Sequence, residues 1–403
     1  MRAALILLLF CDCRQSESAV TYSIRFLARH QAEDGSWGGP DPVCECRPEL
    51  PIETELAIPV DASVISRFED CLKEMAGEDA RAREAAHKRV RNLGSRAVPL
   101  LQKRLRHSDP EVALRCREIL TSICRNDPDV RQLRLGMTPA AGAEFQVLAT
   151  SLGVLCFLGA GYTHLSKDVW DDGRGRRIEF GPTVKKAVLW LISRQEADGA
   201  LAGRDALAHA IATAALSELY GFTASPGLHD PAAEAVTYLN TLPCTEPEFL
   251  YWKGLALHSA HLAELPWSDT GPCGQIADAL AKENSVLALS GALLFTSCRK
   301  QPILALRQRI ASLGSHELSP KETWVLTCAT LHLPQEAARK DWTDSLWKTL
   351  PQAQCRGLGC SSGSWSLSGE RWDESLITTL YTTLTMERSY RYNNVLFNFG
   401  AGK

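Results

Sequence analysis

Several groups in the sequence carry side chains that could do chemistry. The stretch "KDVWDDGRGRR" sets Asp168, Asp171 and Asp172 close together. Crowded carboxylates can keep one of their number protonated, and such an acid can give its proton to a substrate. The glycines and arginines that follow read instead as an exposed loop. A second set stands where apolar helical segments begin: Asp205 and His209, Glu246 and Glu248 with Tyr251 and Trp252, Glu322 with Trp324, and Trp372 with Asp373 and Glu374. Helix starts favour acids through the macrodipole, which accounts for most of these carboxylates as caps. His209, alone among alanines, reads as a packed histidine rather than a base. By position, the same residues are the candidates for lining a ligand cavity at the end where helix starts converge.

Cysteine is the other chemical signal, with 14 in the chain. Cys116, Cys124, Cys156, Cys298 and Cys328 lie in apolar helical segments and read as buried thiols. Cys44, Cys46, Cys355 and Cys360 lie in loops, where disulfides are open to them if the chain is exported. No CxxC pair or nearby histidine completes a four-ligand set, so neither a metal nor a cofactor is expected.

These residues need elements to hold them, and the clearest is at the start. In "FLARHQAEDGSWGG", the apolar spacing of Val20, Ile24 and Leu27 predicts a helix that the acidic glycine turn then stops. Gly35 suits a left-handed residue, Gln31 could bond backbone left bare at the helix end, and Trp37 could close over it. The turn recurs as "RQEADGALAG", with Gln195, Gly199 and Leu201 in place of the tryptophan. It recurs again as "GLGCSSGSWSL", which keeps Gly363 and Trp365 but has lost the leading glutamine. Three copies indicate internal repetition.

These turns resemble those of the prenyltransferase and squalene oxidase repeat family, whose members include squalene–hopene cyclases, prenyltransferase beta subunits and bacterial repeat proteins. The resemblance implies an all-α fold, an α/α toroid of paired helices, over most of the chain outside about residues 40–140. "LITTLYTTLTMERSYRY" resembles the closing helix of the bacterial members. Cyclases of the family donate a proton from a D-x-D-D cluster; the nearest match here, at Asp168, Asp171 and Asp172, is D-x-x-D-D. The prenyltransferases hold zinc through a D-x-C pair, and only Asp12 and Cys13, outside the toroid, resemble one. A thioester of the alpha-macroglobulin type needs Cys and Gln three apart, whereas Cys273 and Gln275 are two apart and read as a helix start.

Periodicity and breakers pair an outer helix at about 19–30 with an inner one beginning "EFQVLATSLGVL". Five more pairs follow: 182–194 with 206–221, 231–242 with 248–264, 273–282 with 285–299, 303–313 with 321–333, and 341–350 with 371–388. The inner members are almost uniformly apolar or small, as suits helices packed on two sides. The toroid is thus expected over 19–39 and 140–395. Residues 60–135 interrupt it with an arginine-rich segment that resembles a HEAT-like repeat. In that segment Asp109, Pro110 and Glu111 form a strong helix start.

The chain has 403 residues, 45% hydrophobic and 23% charged, with a net charge of -3, so nothing in its overall charge points to nucleic acid. The insert is only slightly basic and Phe68 is its sole aromatic, which suits a solvated helical face or a protein partner better than base stacking. Residues 1–18 are too short an apolar run to span a bilayer and read as a weak export signal, the alternative being a short buried segment. Intact repeat turns without catalytic signatures lead to the expectation of a non-catalytic binding or scaffold protein. The alternative is a terpenoid cyclase- or prenyltransferase-like enzyme acting on an isoprenoid in the central cavity.

Overall fold

A computed structural model describes residues 19–39, 52, 56, 58–77, 79–127, 130, 142–172, 175–203, 205–243, 245–266, 271–296, 318–330, 336–356, 361–365 and 372–388. The described chain is predominantly helical, with one two-stranded antiparallel sheet. It divides into two compact units.

One unit spans Pro40–Ala141 together with Arg371–Asp373. Its helices are α2 (Ala62–Met75), α3 (Ala80–Arg91), α4 (Val98–Arg104) and α5 (Pro110–Asn126), with a 3-10 turn at Gly94–Ala97. The helix starts follow from their caps. Asp79 accepts from the Arg81 N–H, and Asp109 accepts from Glu111 and Val112. Phe68, Met75, Val90, Leu101, Cys116 and Ile119 join one fully buried core.

The other unit holds the remaining helices. They are α1 (19–29), α6 (Ala143–Gly159), α7 (Phe180–Ser193), α8 (Ala206–Thr223), α9 (Pro226–Thr241) and α10 (Pro247–Leu262), followed by α11 (Gly271–Leu280), α12 (Val286–Thr296), α13 (Pro320–Thr330), α14 (Glu336–Ala353) and α15 (Trp372–Glu387). Helices α6, α8, α10, α12 and α13 pack successively on one another, and α6 reaches α15 through the Cys156 thiol, 3.4 Å from Leu380 O. The first two are buried along almost their whole length, as two-sided packing requires. Helix α9 starts at Pro226, ahead of the expected 231, because Ser225 and Pro226 supply the N-terminal pair while Pro231 is carried inside the helix. The expected helix 303–313, the segment 1–18, and Cys44, Cys46, Cys298 and Cys360 lie outside the described residues. Cys116, Cys124, Cys156 and Cys328 are buried and Cys355 is half-buried, each outside any disulfide among the described residues.

The three turns are built alike. In the first, the Gln31 amide donates to Gly35 O at 2.9 Å and to Thr183 O, at the start of α7, at 2.8 Å. In the second, Gln195 donates to Gly199 O at 3.3 Å and to Pro231 O in α9 at 2.9 Å. The third does have its glutamine, contrary to the sequence reading. Gln354 donates to Gly363 O at 3.1 Å and to Ala19 O, at the start of α1, at 2.8 Å. Each glutamine therefore ties one helix end to another helix: α1 to α7, α7 to α9, and α14 to α1.

The rest of each turn repeats too. Gly35, Gly199 and Gly363 have φ of 100°, 92° and 102°, which favours glycine. The Trp37 indole N–H donates to Leu27 O at 2.8 Å, and that of Trp365 to Leu350 O at 2.7 Å, satisfying carbonyls near a helix end. The backbone N–H of Trp37 donates to Thr150 Oγ1 and that of Trp365 to Thr379 Oγ1, both at 3.0 Å, on helices α6 and α15. Both rings are buried, Trp37 to 1% and Trp365 to 4% exposure. Beside the closing turn, Thr383 Oγ1 donates to Ser23 Oγ at 2.9 Å, joining α15 to α1.

Candidate functional site

Three helices bring polar groups together. Helix α10, started by Pro247 at its first turn, carries Glu248, Tyr251 and Trp252 one turn apart. Lys321 stands in the first turn of α13 and Tyr381 midway along α15. Lys321 Nζ lies 2.6 Å from Glu248 Oε2, and the Tyr381 hydroxyl donates to Glu248 Oε1 at 3.5 Å. Trp252 packs against Tyr381 with ring centroids 6.5 Å apart. Burial, and then the charge of Glu248, push the Tyr381 phenol well above its ordinary range, so it stays a neutral donor. Tyr251 is fully buried against Phe295 of α12, and the thiol of Cys328 in α13 is buried as well. Burial pushes that thiol up to about 12, so it is no thiolate nucleophile at neutral pH.

A carboxylate held by an ammonium and a phenol accepts hydrogen bonds. Protonating an alkene needs the opposite, an acid kept neutral. The Glu248 group is therefore built to join helices, and with Glu248 about one-quarter exposed the pair contributes modestly. Glu248 is engaged as described, and Asp373 is buried.

The other candidates have structural roles or stand apart. Asp205 caps α8, its Oδ1 accepting from the Ala208 N–H at 2.7 Å. Glu322 and Ser319 form a capping box at the start of α13, with Glu322 Oε2 accepting from the Ser319 N–H at 2.9 Å and its hydroxyl at 2.7 Å. Trp324 and Trp372 are buried and Glu374 is exposed. Asp168, Asp171 and Asp172 belong to a β-hairpin, β1 (Val169–Asp171) against β2 (Arg177–Glu179), rather than a loop. Arg25 and Arg29 of α1 lie over the Trp170 ring of the hairpin, each 5.4 Å from its centroid, and Asp172 accepts from Arg176 Nε at 2.7 Å. Gln275 lies in α11, which begins at Gly271, two residues ahead of the expected 273. Among the described residues no group of three or more His, Cys, Asp or Glu could hold a metal ion, and no helix is long and apolar enough to cross a membrane.

His209 has a specific role that spacing alone did not suggest. Its Nδ1 accepts from the Leu201 N–H at 3.2 Å, and its Nε2 lies 3.0 Å from Ala235 O. It thus does in the second turn what Thr150 and Thr379 do in the first and third, and this requires the neutral ring with its proton on Nε2. Burial lowers its pKa from 6.5 to about 4. Between those values the unfolded chain takes up a proton that the folded chain refuses, so stability falls as pH drops through that window. The loss amounts to roughly 3 kcal/mol at pH 4. His209→Thr is expected to flatten the pH dependence of urea unfolding between pH 6.5 and 4. An unchanged slope would show that another group sets it.

Lys321, Tyr381 and Gln354 escaped the sequence reading. The first two meet Glu248 only through the fold, and the third was hidden by its distance from Gly363. Comparison with known protein families, curated proteins and solved structures finds no match to this chain.

Proposed function

We propose that the larger unit is an α/α toroid of six helix pairs and that the protein is a non-catalytic binding or scaffold protein. The three glutamine turns support the ring, since the last grips the first helix as the first grips the second. In such a ring the inner helices run α6, α8, α10, α12, α13, α15, so α10 and α15 stand opposite. The observation that carries the functional reading is the contact between them. Tyr381 meets both Glu248 and Trp252 across the middle, where an isoprenoid would have to lie. A centre bridged by an ion pair, a phenol and an indole is a poor reaction chamber for a long apolar substrate. The four-helix insert is then the surface offered to a protein partner, as stacked helices commonly provide.

The test is turnover. Purified protein incubated with squalene, or with farnesyl or geranylgeranyl diphosphate plus magnesium and zinc, is expected to give no product above buffer by gas chromatography–mass spectrometry. A product that disappears in Glu248→Gln would overturn the reading in favour of an isoprenoid enzyme.

A further inference from the structure

Away from the Glu248 group, helix α1, the hairpin and the third glutamine turn bring arginines and aromatic rings together. Tyr22, Arg25 and Arg29 follow one another along α1 at helical spacing, so they share one face. Arg25 Cζ lies 6.0 Å from the centre of the Tyr22 ring and 5.4 Å from that of Trp170 in β1, and Arg29 Cζ is likewise 5.4 Å from Trp170. From the third turn, Arg356 Cζ lies 5.3 Å from the Tyr22 ring. Guanidinium and ring therefore alternate in the order Arg356, Tyr22, Arg25, Trp170, Arg29.

The arginines differ in what they still offer. Arg29 is committed, its Nη2 donating to Ser362 O at 2.7 Å. Among the described residues, neither Arg25 nor Arg356 donates a hydrogen bond or pairs with a carboxylate. Stacking on a ring uses the face of a guanidinium and leaves the N–H groups at its edge available. The Arg25 Nε is buried with no acceptor, so the terminal nitrogens are the donors that Arg25 offers. Arg356 is exposed, and Tyr22 is 36% exposed with a hydroxyl that can donate beside them. The acids of the hairpin strands do not meet this need. Trp170 and its cross-strand partner Ile178 are half-buried on one face of the hairpin, whereas Asp171 and Glu179 alternate onto the other.

Two cations with unused edges select an anion, and the planar fork suits a carboxylate or a phosphate. Their placement decides between sources. Each aromatic ring already holds two guanidiniums, which removes the stacking platform that a single-stranded nucleic acid needs. The donors belong to separate elements around one exposed ring, which suits anions carried at intervals on a chain better than one small anion. Alternate side chains of an extended chain lie on one face roughly 7 Å apart, within reach of two guanidiniums gathered round one ring. We infer that this face binds an extended acidic segment of a partner protein, with alternate Asp or Glu carboxylates on Arg25 and Arg356 and the Tyr22 hydroxyl beside them. The inference goes beyond the scaffold reading and depends neither on the toroid's centre nor on what the insert binds.

The probe is a fluorescein-labelled peptide of alternating glutamate and serine, titrated with the full chain by fluorescence anisotropy. An alternating lysine–serine peptide and oligothymidylate, both labelled, are run beside it, with inorganic phosphate as competitor. Saturable binding of the glutamate peptide is expected, weakening as salt rises, with none of the lysine peptide. Arg25→Gln and Arg356→Gln should each weaken it about fivefold, the upper end for one exposed ion pair. Arg194→Gln is the control, because Arg194 is exposed and lies 4.9 Å from the Trp190 ring centre without a second arginine on that ring among the described residues, and its loss should change nothing. No saturable binding of the glutamate peptide would overturn the proposal, as would equal weakening by Arg194→Gln. Tighter binding of oligothymidylate, weakened by the same two variants, would overturn it in favour of nucleic acid, and displacement of the peptide by phosphate at matched ionic strength would overturn it in favour of a simple anion site. Should Arg25→Gln fail to fold, Arg356→Gln decides alone, and parental affinity in that variant would overturn the proposal.

Discussion

Replacing Trp365 with alanine is expected to cost about 3–5 kcal/mol of unfolding free energy, and Trp37→Ala a similar amount. Each ring is almost wholly buried, so its removal loses apolar burial and leaves a cavity that the surrounding helices can only partly fill. Each also leaves a carbonyl near a helix end, Leu350 O or Leu27 O, without its indole donor. Trp37 is packed so closely that a Cβ on Gly153 would come within 2.8 Å of its ring, which leaves the neighbouring helix little room to relax into the gap. Denaturant unfolding of both variants measures the loss. Parent-like unfolding of either would mean that its indole is not part of a clasp.

The second large effect belongs to Gly363. Its φ of 102° strains any other residue, and an added Cβ would overlap the backbone oxygen of Tyr22 in α1. Gly363→Ala is expected to cost at least about 3 kcal/mol, combining backbone strain with displacement of the first helix from the last turn. Gly161 is the control. It has φ of 91° with nothing within 4 Å of an added Cβ, so Gly161→Ala should cost only the conformational part, about 1–2 kcal/mol. The difference between the two variants isolates the contact between the last turn and the first helix. Equal losses would mean that this contact does not matter to stability.

Much of the helical fold was legible because helix starts and stops are local. Ser, Asp and Pro at starts, and Gly35 and Gly199 at turns, mark boundaries that backbone chemistry enforces wherever they occur. The third clasp was harder to see because five more residues separate Gln354 from Gly363 than separate Gln31 from Gly35, so a fixed spacing misses it. The hydrogen bonds survive the longer turn because both ends still reach equivalent places: the glutamine meets its own glycine's carbonyl and a carbonyl of another helix. The role of His209 was invisible for another reason. A histidine and a threonine share no pattern, yet each presents one acceptor atom to a turn N–H. The hairpin at Val169–Glu179 was read from local composition as a loop, and its Trp170 meets arginines of α1 far away in sequence. Glu248 was singled out by its helix start, but its partners Lys321 and Tyr381 lie on other helices, and only the packing of those helices selects them.

Ring closure is most directly tested where α15 meets α1. Ser23 and Thr383 have hydroxyl oxygens 2.9 Å apart, close enough for cysteines in their places to form a disulfide. The double variant Ser23→Cys with Thr383→Cys, oxidised under native conditions and digested with trypsin, should yield one linked peptide joining positions 23 and 383 by mass spectrometry. Closing so long a loop should also raise the melting temperature over the reduced form. If both introduced thiols stay free, or pair only between molecules, while the variant keeps parental helicity, the first and last helices do not meet and the ring is wrong.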